Sequence, residues 1–104
     1  MRVPLTGAGA GRRLIVNADD FGLTQPINDG VIDAFERGIL TSASLVATGE
    51  AFERAAKYAS NRPDLDSGIH LMIVQGAPVL PPEQVPSLVQ EDGRFLPGYP
   101  EFMA

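Results

Sequence analysis

Apolar positions along this chain switch between two spacings. Arg13-Leu14-Ile15-Val16-Asn17-Ala18 is a short, almost continuous apolar run, as expected for a strand covered on both faces in a parallel sheet. Ile27, Val31, Ala34 and Phe35 then recur at helical spacing. Thr24 is a suitable N-cap, Pro26 falls in the first turn where its missing N–H costs least, and Gly38 supplies a stop. Ala43-Ser44-Leu45-Val46-Ala47 predicts a second strand. Phe52, Ala55, Ala56 and Ala59 predict an amphipathic helix from about Glu50 to Ser60, closed by Pro63. Ile69, Leu71 and Met72 predict a third buried strand around His70. Strand, helix, strand, helix, strand is the order of an α/β fold with a parallel sheet and right-handed crossovers. The apolar stripes are packing faces rather than ligand surfaces.

After Gln75 the pattern breaks down. Pro78, Pro81, Pro82, Pro86, Pro97 and Pro100 argue against any helix, and Glu91-Asp92-Gly93 marks a tight turn between Leu88-Val89 and Arg94-Phe95. Residues 75–100 are therefore expected to be a Pro-rich loop carrying a small hairpin. Residues 1–11, with Pro4, Gly7, Gly9 and Gly11, are expected to be a flexible leader, too poor in apolar residues for a signal peptide.

Candidate chemistry sits at the predicted strand ends, where α/β enzymes keep theirs. Asp19 and Asp20 are consecutive, and side chains alternate along an extended backbone, so the two carboxylates can take different tasks around one point. One could hold a cation while the other takes a proton. Taken alone, the pair also fits a turn opening before Phe21-Gly22. His70 is the one histidine of the chain, and an imidazole on an apolar segment is commonly a hydrogen-bonded core residue. If the first and third strands share one sheet, however, His70 falls near the acidic pair. A neutral imidazole beside a carboxylate suits Zn²⁺, Mn²⁺, Fe²⁺ or Co²⁺.

Composition narrows the function classes. With 44% hydrophobic and 20% charged residues the chain is globular in character, and no stretch approaches the length of a membrane-spanning helix. A net charge of −5 with 8 unclustered Lys and Arg argues against a nucleic-acid partner. The absence of cysteine excludes disulfides, thiolate nucleophiles and thiolate metal sites, and a cytoplasmic location is expected. No serine lies in a Gly-x-Ser-x-Gly elbow.

Three segments in order, Asn17-Ala18-Asp19-Asp20-Phe21-Gly22, Leu40-Thr41-Ser42-Ala43-Ser44-Leu45 and Gly68-Ile69-His70-Leu71, resemble the amino-terminal third of the YdjC-like carbohydrate deacetylases. Val74-Gln75-Gly76-Ala77-Pro78-Val79-Leu80-Pro81-Pro82, Val85-Pro86-Ser87-Leu88-Val89 and Asp92-Gly93-Arg94-Phe95 are most similar to the hopanoid-biosynthesis-associated branch of that family. The likeness runs from about Arg12 to Phe95 and rests on several ordered motifs. It implies a metal-dependent hydrolase that removes an acetyl group from an N-acetylated sugar or glycolipid, meeting a membrane only peripherally. It also implies Asp19 as catalytic base, Asp20 and His70 as ligands of a divalent metal ion such as Mg²⁺ or Zn²⁺, and a TIM-barrel-like (β/α) barrel.

Two departures bear on that expectation. The family's metal site uses a second histidine beyond the Gly-x-His-Leu motif, and this chain has none. A (β/α) barrel also needs roughly 200 residues or more to close, whereas the chain has 104. Residues 12–104 therefore read as the amino-terminal portion of a single deacetylase domain, an incomplete barrel that is inactive alone. Its exposed edges would favour a homo-oligomer. Two alternatives are a non-catalytic remnant of the enzyme and a Mg²⁺-binding phospho-acceptor receiver domain. The latter would need an acceptor Asp where this chain has Ile69-His70-Leu71.

Overall fold

A computed structural model describes residue 11 and residues 13–103. The expected leader, apart from Gly11, lies outside the described residues. The elements are β1 (Asn17–Phe21), α1 (Gln25–Arg37), β2 (Ser42–Leu45), α2 (Phe52–Ser60), β3 (Asp66–Ile69), a 3-10 turn (Pro82–Gln84) and α3 (Tyr99–Met103). The strands form one parallel sheet in the order β1-β2-β3.

Helix α1 forms where its punctuation places it. Thr24 has extended backbone angles and its hydroxyl accepts from the Ile27 N–H, while the Gly38 N–H donates to the Ala34 carbonyl. A Cβ on Gly38 would lie 2.7 Å from the Ala34 oxygen, so this end of the helix requires glycine. Val31 and Phe35 from α1, Ala55 and Ala59 from α2, Phe21 from β1 and Ala43 and Leu45 from β2 make one buried cluster with Leu40 and Leu65. Alternate strand residues point to opposite faces, so both helices cover the same face of the sheet. Burying Phe35 alone is worth about 2–3 kcal/mol by transfer of its apolar surface.

The other face is polar. Asn17 and Asp19 on β1, Ser42 and Ser44 on β2 and Asp66 on β3 occupy the alternate positions, in the register Asn17↔Ser42 and Ser42↔Asp66. This corrects the expectation of a first strand buried on both faces. Leu14 and Ile15 are 61% and 76% exposed, and β1 starts only at Asn17, where pairing with β2 begins. The third strand is also displaced. It ends at Ile69, and it is exposed throughout because no described helix covers it; Leu71 is 87% exposed.

Where a small hairpin was expected, the chain makes a turn closed by a single isolated bridge. Val89 bridges Phe95 antiparallel, the Gly93 N–H donates to Gln90 across the turn with Gly93 at φ +78°, and Phe95 is buried. Hydrogen bonds Gln75 N–H to Leu96 O and Phe95 N–H to Gly76 O pin the loop back on itself. The prolines did not exclude helix as expected. Pro82 opens the 3-10 turn and Pro100 sits in the first turn of α3, where no N–H donor is required.

Candidate functional site

The site is built where β1 leaves the sheet. Pairing with β2 shifts register between Ala18 and Phe21, and Asp20 adopts φ +63°, a left-handed conformation that Asp tolerates better than most residues. The irregularity re-aims one side chain. Asp19 keeps the polar face of β1, while Asp20 turns toward the end of β3. His70 follows β3 directly, anchored by its N–H to the Leu45 carbonyl at 2.8 Å.

Asp20 and His70 flank β2, and strands two apart in a sheet are separated by roughly 10 Å. Their side chains nevertheless converge: His70 Nδ1 lies 3.3 Å from Asp20 Oδ1. The approach is too poorly aligned for a hydrogen bond, and Nδ1 is buried without any hydrogen-bond partner. An imidazole nitrogen without a hydrogen-bond partner beside a carboxylate is a donor set that a divalent cation fits. Asp20 and His70 could supply two ligands. No group of three His, Asp or Glu side chains able to hold a metal occurs among the described residues.

Asp19 is held separately. Its Oδ1 accepts from Asn17 Nδ2 at 2.9 Å and from the Ser44 hydroxyl at 2.8 Å. Asn17 Nδ2 also donates to Ser44 Oγ at 3.0 Å, and Asn17 Oδ1 accepts from the Ser42 hydroxyl at 2.8 Å. The sequence signal for this network was the paired alternation Asn17-x-Asp19 and Ser42-x-Ser44. Sequence analysis assigns no separate role to Asn17, Ser42 or Ser44 beyond the strand and motif segments that contain them.

A second residue escaped the sequence reading. Asn28 lies on the buried face of α1 and is fully buried. Its Oδ1 accepts from the Gly22 N–H at 2.7 Å and its Nδ2 donates to the Ala51 carbonyl at 3.0 Å. The Ala51 N–H donates in turn to the Gly22 carbonyl. Asn28 thus bolts the turn after Asp20 to the entry of α2, and a single polar residue in an apolar helical stripe was its only trace in the sequence.

Beside His70 lies a cleft of about 240 Å³ lined mainly by apolar side chains, among them Leu71, Met72, Val79, Leu88 and Phe95. The Pro-rich segment therefore forms one wall next to the candidate site. A larger hollow of about 720 Å³ between Gln25 and residues 47–54 contains none of the candidate residues. The most perturbed side chain is also elsewhere. Burial, then a hydrogen bond to Glu36, pushes the Tyr58 hydroxyl up to about 12. Arg62 bonds Glu36 and Tyr58 and lies over the Phe35 ring at 4.6 Å, which marks this cluster as structural.

A parallel β/α sheet with two aspartates and a histidine gathered at its carboxyl edge is an α/β protein whose polar site lies where such sheets carry their chemistry. The chain belongs to the family of YdjC-like proteins, which it matches over residues 13–103. It is 46% identical to a carbohydrate deacetylase of Geobacillus stearothermophilus over 81% of this chain and 33% of that protein. It is 45% identical to a carbohydrate deacetylase of Brevibacillus brevis over 83% and 34%. A crystal structure from Enterococcus faecalis V583, of a protein named for cellobiose-phosphate cleavage, superposes with a TM-score of 0.77 at 41% identity, covering 86% of this chain and 35% of that one. The chain thus spans about a third of the length of the relatives it matches.

Proposed function

We propose that this chain carries the general base and two metal ligands of a divalent-metal-dependent hydrolase that removes an N-acetyl group from an N-acetylated sugar or glycoconjugate. The observation that carries the reading is the convergence of Asp20 and the unpartnered His70 Nδ1, with Asp19 fixed on the adjoining open face. Relatives named carbohydrate deacetylases support the reaction class.

Asp20 and His70 would hold Mg²⁺ or Zn²⁺. The cation supplies Lewis acidity toward the amide carbonyl and toward water. Asp19 accepts a proton from the attacking water as its oxygen bonds to the acetyl carbon. The C–N bond then breaks, and the proton passes to the departing nitrogen, leaving acetate and a free amine. The apolar cleft beside His70 suits the aglycone of a glycolipid, in keeping with a hopanoid-linked amino sugar, so the enzyme would meet the membrane from the cytoplasmic side. No helix among the described residues is long and apolar enough to cross it. Three β/α strands with both sheet edges open fit the first part of a TIM-barrel-like (β/α) barrel.

A second reading, a chain that binds metal but does not turn over, is favoured by one observation: two protein ligands are fewer than the three usual at catalytic zinc. Calorimetry with Zn²⁺ and acetate release from N-acetylglucosamine conjugates separate the two. Asp20→Asn and His70→Ala are expected to weaken binding, and Asp19→Asn to abolish acetate release while sparing binding. Equal acetate release from the native chain and Asp19→Asn would sink the catalytic reading.

A further inference from the structure

The network on the open face of the sheet has an internal logic of donors and acceptors. The Ser42 hydroxyl donates to Asn17 Oδ1, which orients the amide so that its NH₂ faces Asp19 and Ser44. Ser44 Oγ accepts one of those N–H bonds and spends its own proton on Asp19 Oδ1. Two donors therefore converge on one oxygen of Asp19. Among the described residues, no hydrogen bond is made to the other, Oδ2. All four side chains come from alternate positions of two adjacent strands, so they sit on rigid backbone rather than on loops.

We propose that Ser44 and Asn17 are positioning residues for Asp19: they fix Oδ1, set the rotamer of the side chain, and leave Oδ2 directed to the open face as the oxygen that takes the proton. Ser42 acts one step further out by fixing the amide of Asn17. The inference rests on the reading of Asp19 as the general base. Its geometric core, a carboxylate locked by Ser44 and Asn17, is testable without turnover.

The test uses the whole 104-residue chain, isotopically labelled, with three-bond couplings reporting the χ1 rotamer of Asp19. One rotamer is expected in the native chain, averaging over several in Ser44→Ala and in Asn17→Ala, and a single rotamer again in Ser44→Thr, which keeps the hydroxyl and suits a strand. Amide spectra of Ser44→Thr establish that position 44 tolerates substitution without loss of the fold. A single unchanged rotamer in both alanine variants overturns the proposal. In the deacetylase assay Ser44→Ala is expected to lower kcat by ~10- to 100-fold, the penalty of a misplaced reacting group, with KM and Zn²⁺ affinity little changed and turnover recovered in Ser44→Thr. Unchanged kcat in Ser44→Ala also overturns it. If the native chain releases no acetate, as expected of an incomplete barrel, the second reading above applies, and the rotamer result alone decides whether Ser44 and Asn17 position Asp19.

Discussion

Replacing Asn28 with alanine removes both ends of a buried amide bridge. The Gly22 N–H, now held at 2.7 Å by Asn28 Oδ1 in a fully buried position, would lose its acceptor. An unsatisfied buried donor costs about 1–3 kcal/mol, and Gly22 has little access to water, so the upper part of that range applies. The Ala51 carbonyl is only partly buried and can recover water, which limits its share to about 1 kcal/mol. The sum is about 3 kcal/mol, a large fraction of the ~5–15 kcal/mol by which a domain is ordinarily stable. Urea unfolding followed by far-ultraviolet circular dichroism measures the loss. Hydrogen exchange at the Gly22 amide measures it locally, with protection expected to collapse there first. Asn28→Asp keeps the acceptor but turns the donor toward Ala51 into a second acceptor carrying buried charge. It should be at least as damaging at neutral pH and partly recover on acidification, when the protonated acid can donate again. A loss below about 1 kcal/mol for Asn28→Ala, with Gly22 protection unchanged, would refute the bridge as the clamp behind the Asp20 turn.

Three further outcomes follow from the surroundings of Gly49, Gly68 and Tyr58. A Cβ on Gly49 would stand 2.0 Å from the Gly22 carbonyl oxygen and 2.8 Å from Leu23 Cα, so Gly49→Ala should destabilise by roughly 1–3 kcal/mol or more. Gly68→Ala meets nothing within 4 Å, and its melting temperature should stay near that of the native chain. Tyr58 is held neutral in the folded state up to about 12 against an ordinary value of 10.0, chiefly by burial and then by its bond to Glu36. The folded chain therefore binds more protons than the unfolded chain between those values. The stabilisation is complete below pH 10.0 and is lost as pH rises toward about 12. Denaturation midpoints across that window should fall, and fall less in Tyr58→Phe.

The helices were legible because their signals are local. Thr24, Pro26 and Gly38 fix the ends of α1 through hydrogen bonds and sterics within a turn of themselves, and the Val31 and Phe35 spacing gives the buried face. The placement of Asp20 and His70 at the carboxyl end of one parallel sheet was legible for a similar reason, since a parallel β/α order dictates it, whereas the intervening β2 was not. Strand limits were not, because Leu14, Ile15 and Leu71 are as apolar as core residues and only pairing and coverage decide whether such residues are buried. Asp20 in the left-handed region leaves no mark in composition. The Asn28 bridge joins segments far apart in the chain, so nothing near it in sequence could reveal its partners. The helical turns at Pro82 and Pro100 were missed by treating every proline after Gln75 as a breaker, although at a first turn proline is tolerated, as Pro26 is in α1.

The meeting of Asp20 and His70 over the end of β2 also makes their corner a reporter of assembly. Neither strand alone, nor either β/α crossover alone, brings the two side chains to 3.3 Å. The distance exists only when β1, β2 and β3 are aligned together. Any ligand that bridges the pair binds the assembled sheet and not its parts, so its binding energy is added to the energy of folding. Affinity at the corner and cooperativity of the sheet are therefore one property, and a substitution that loosens β2 should weaken the grip of residues it never touches.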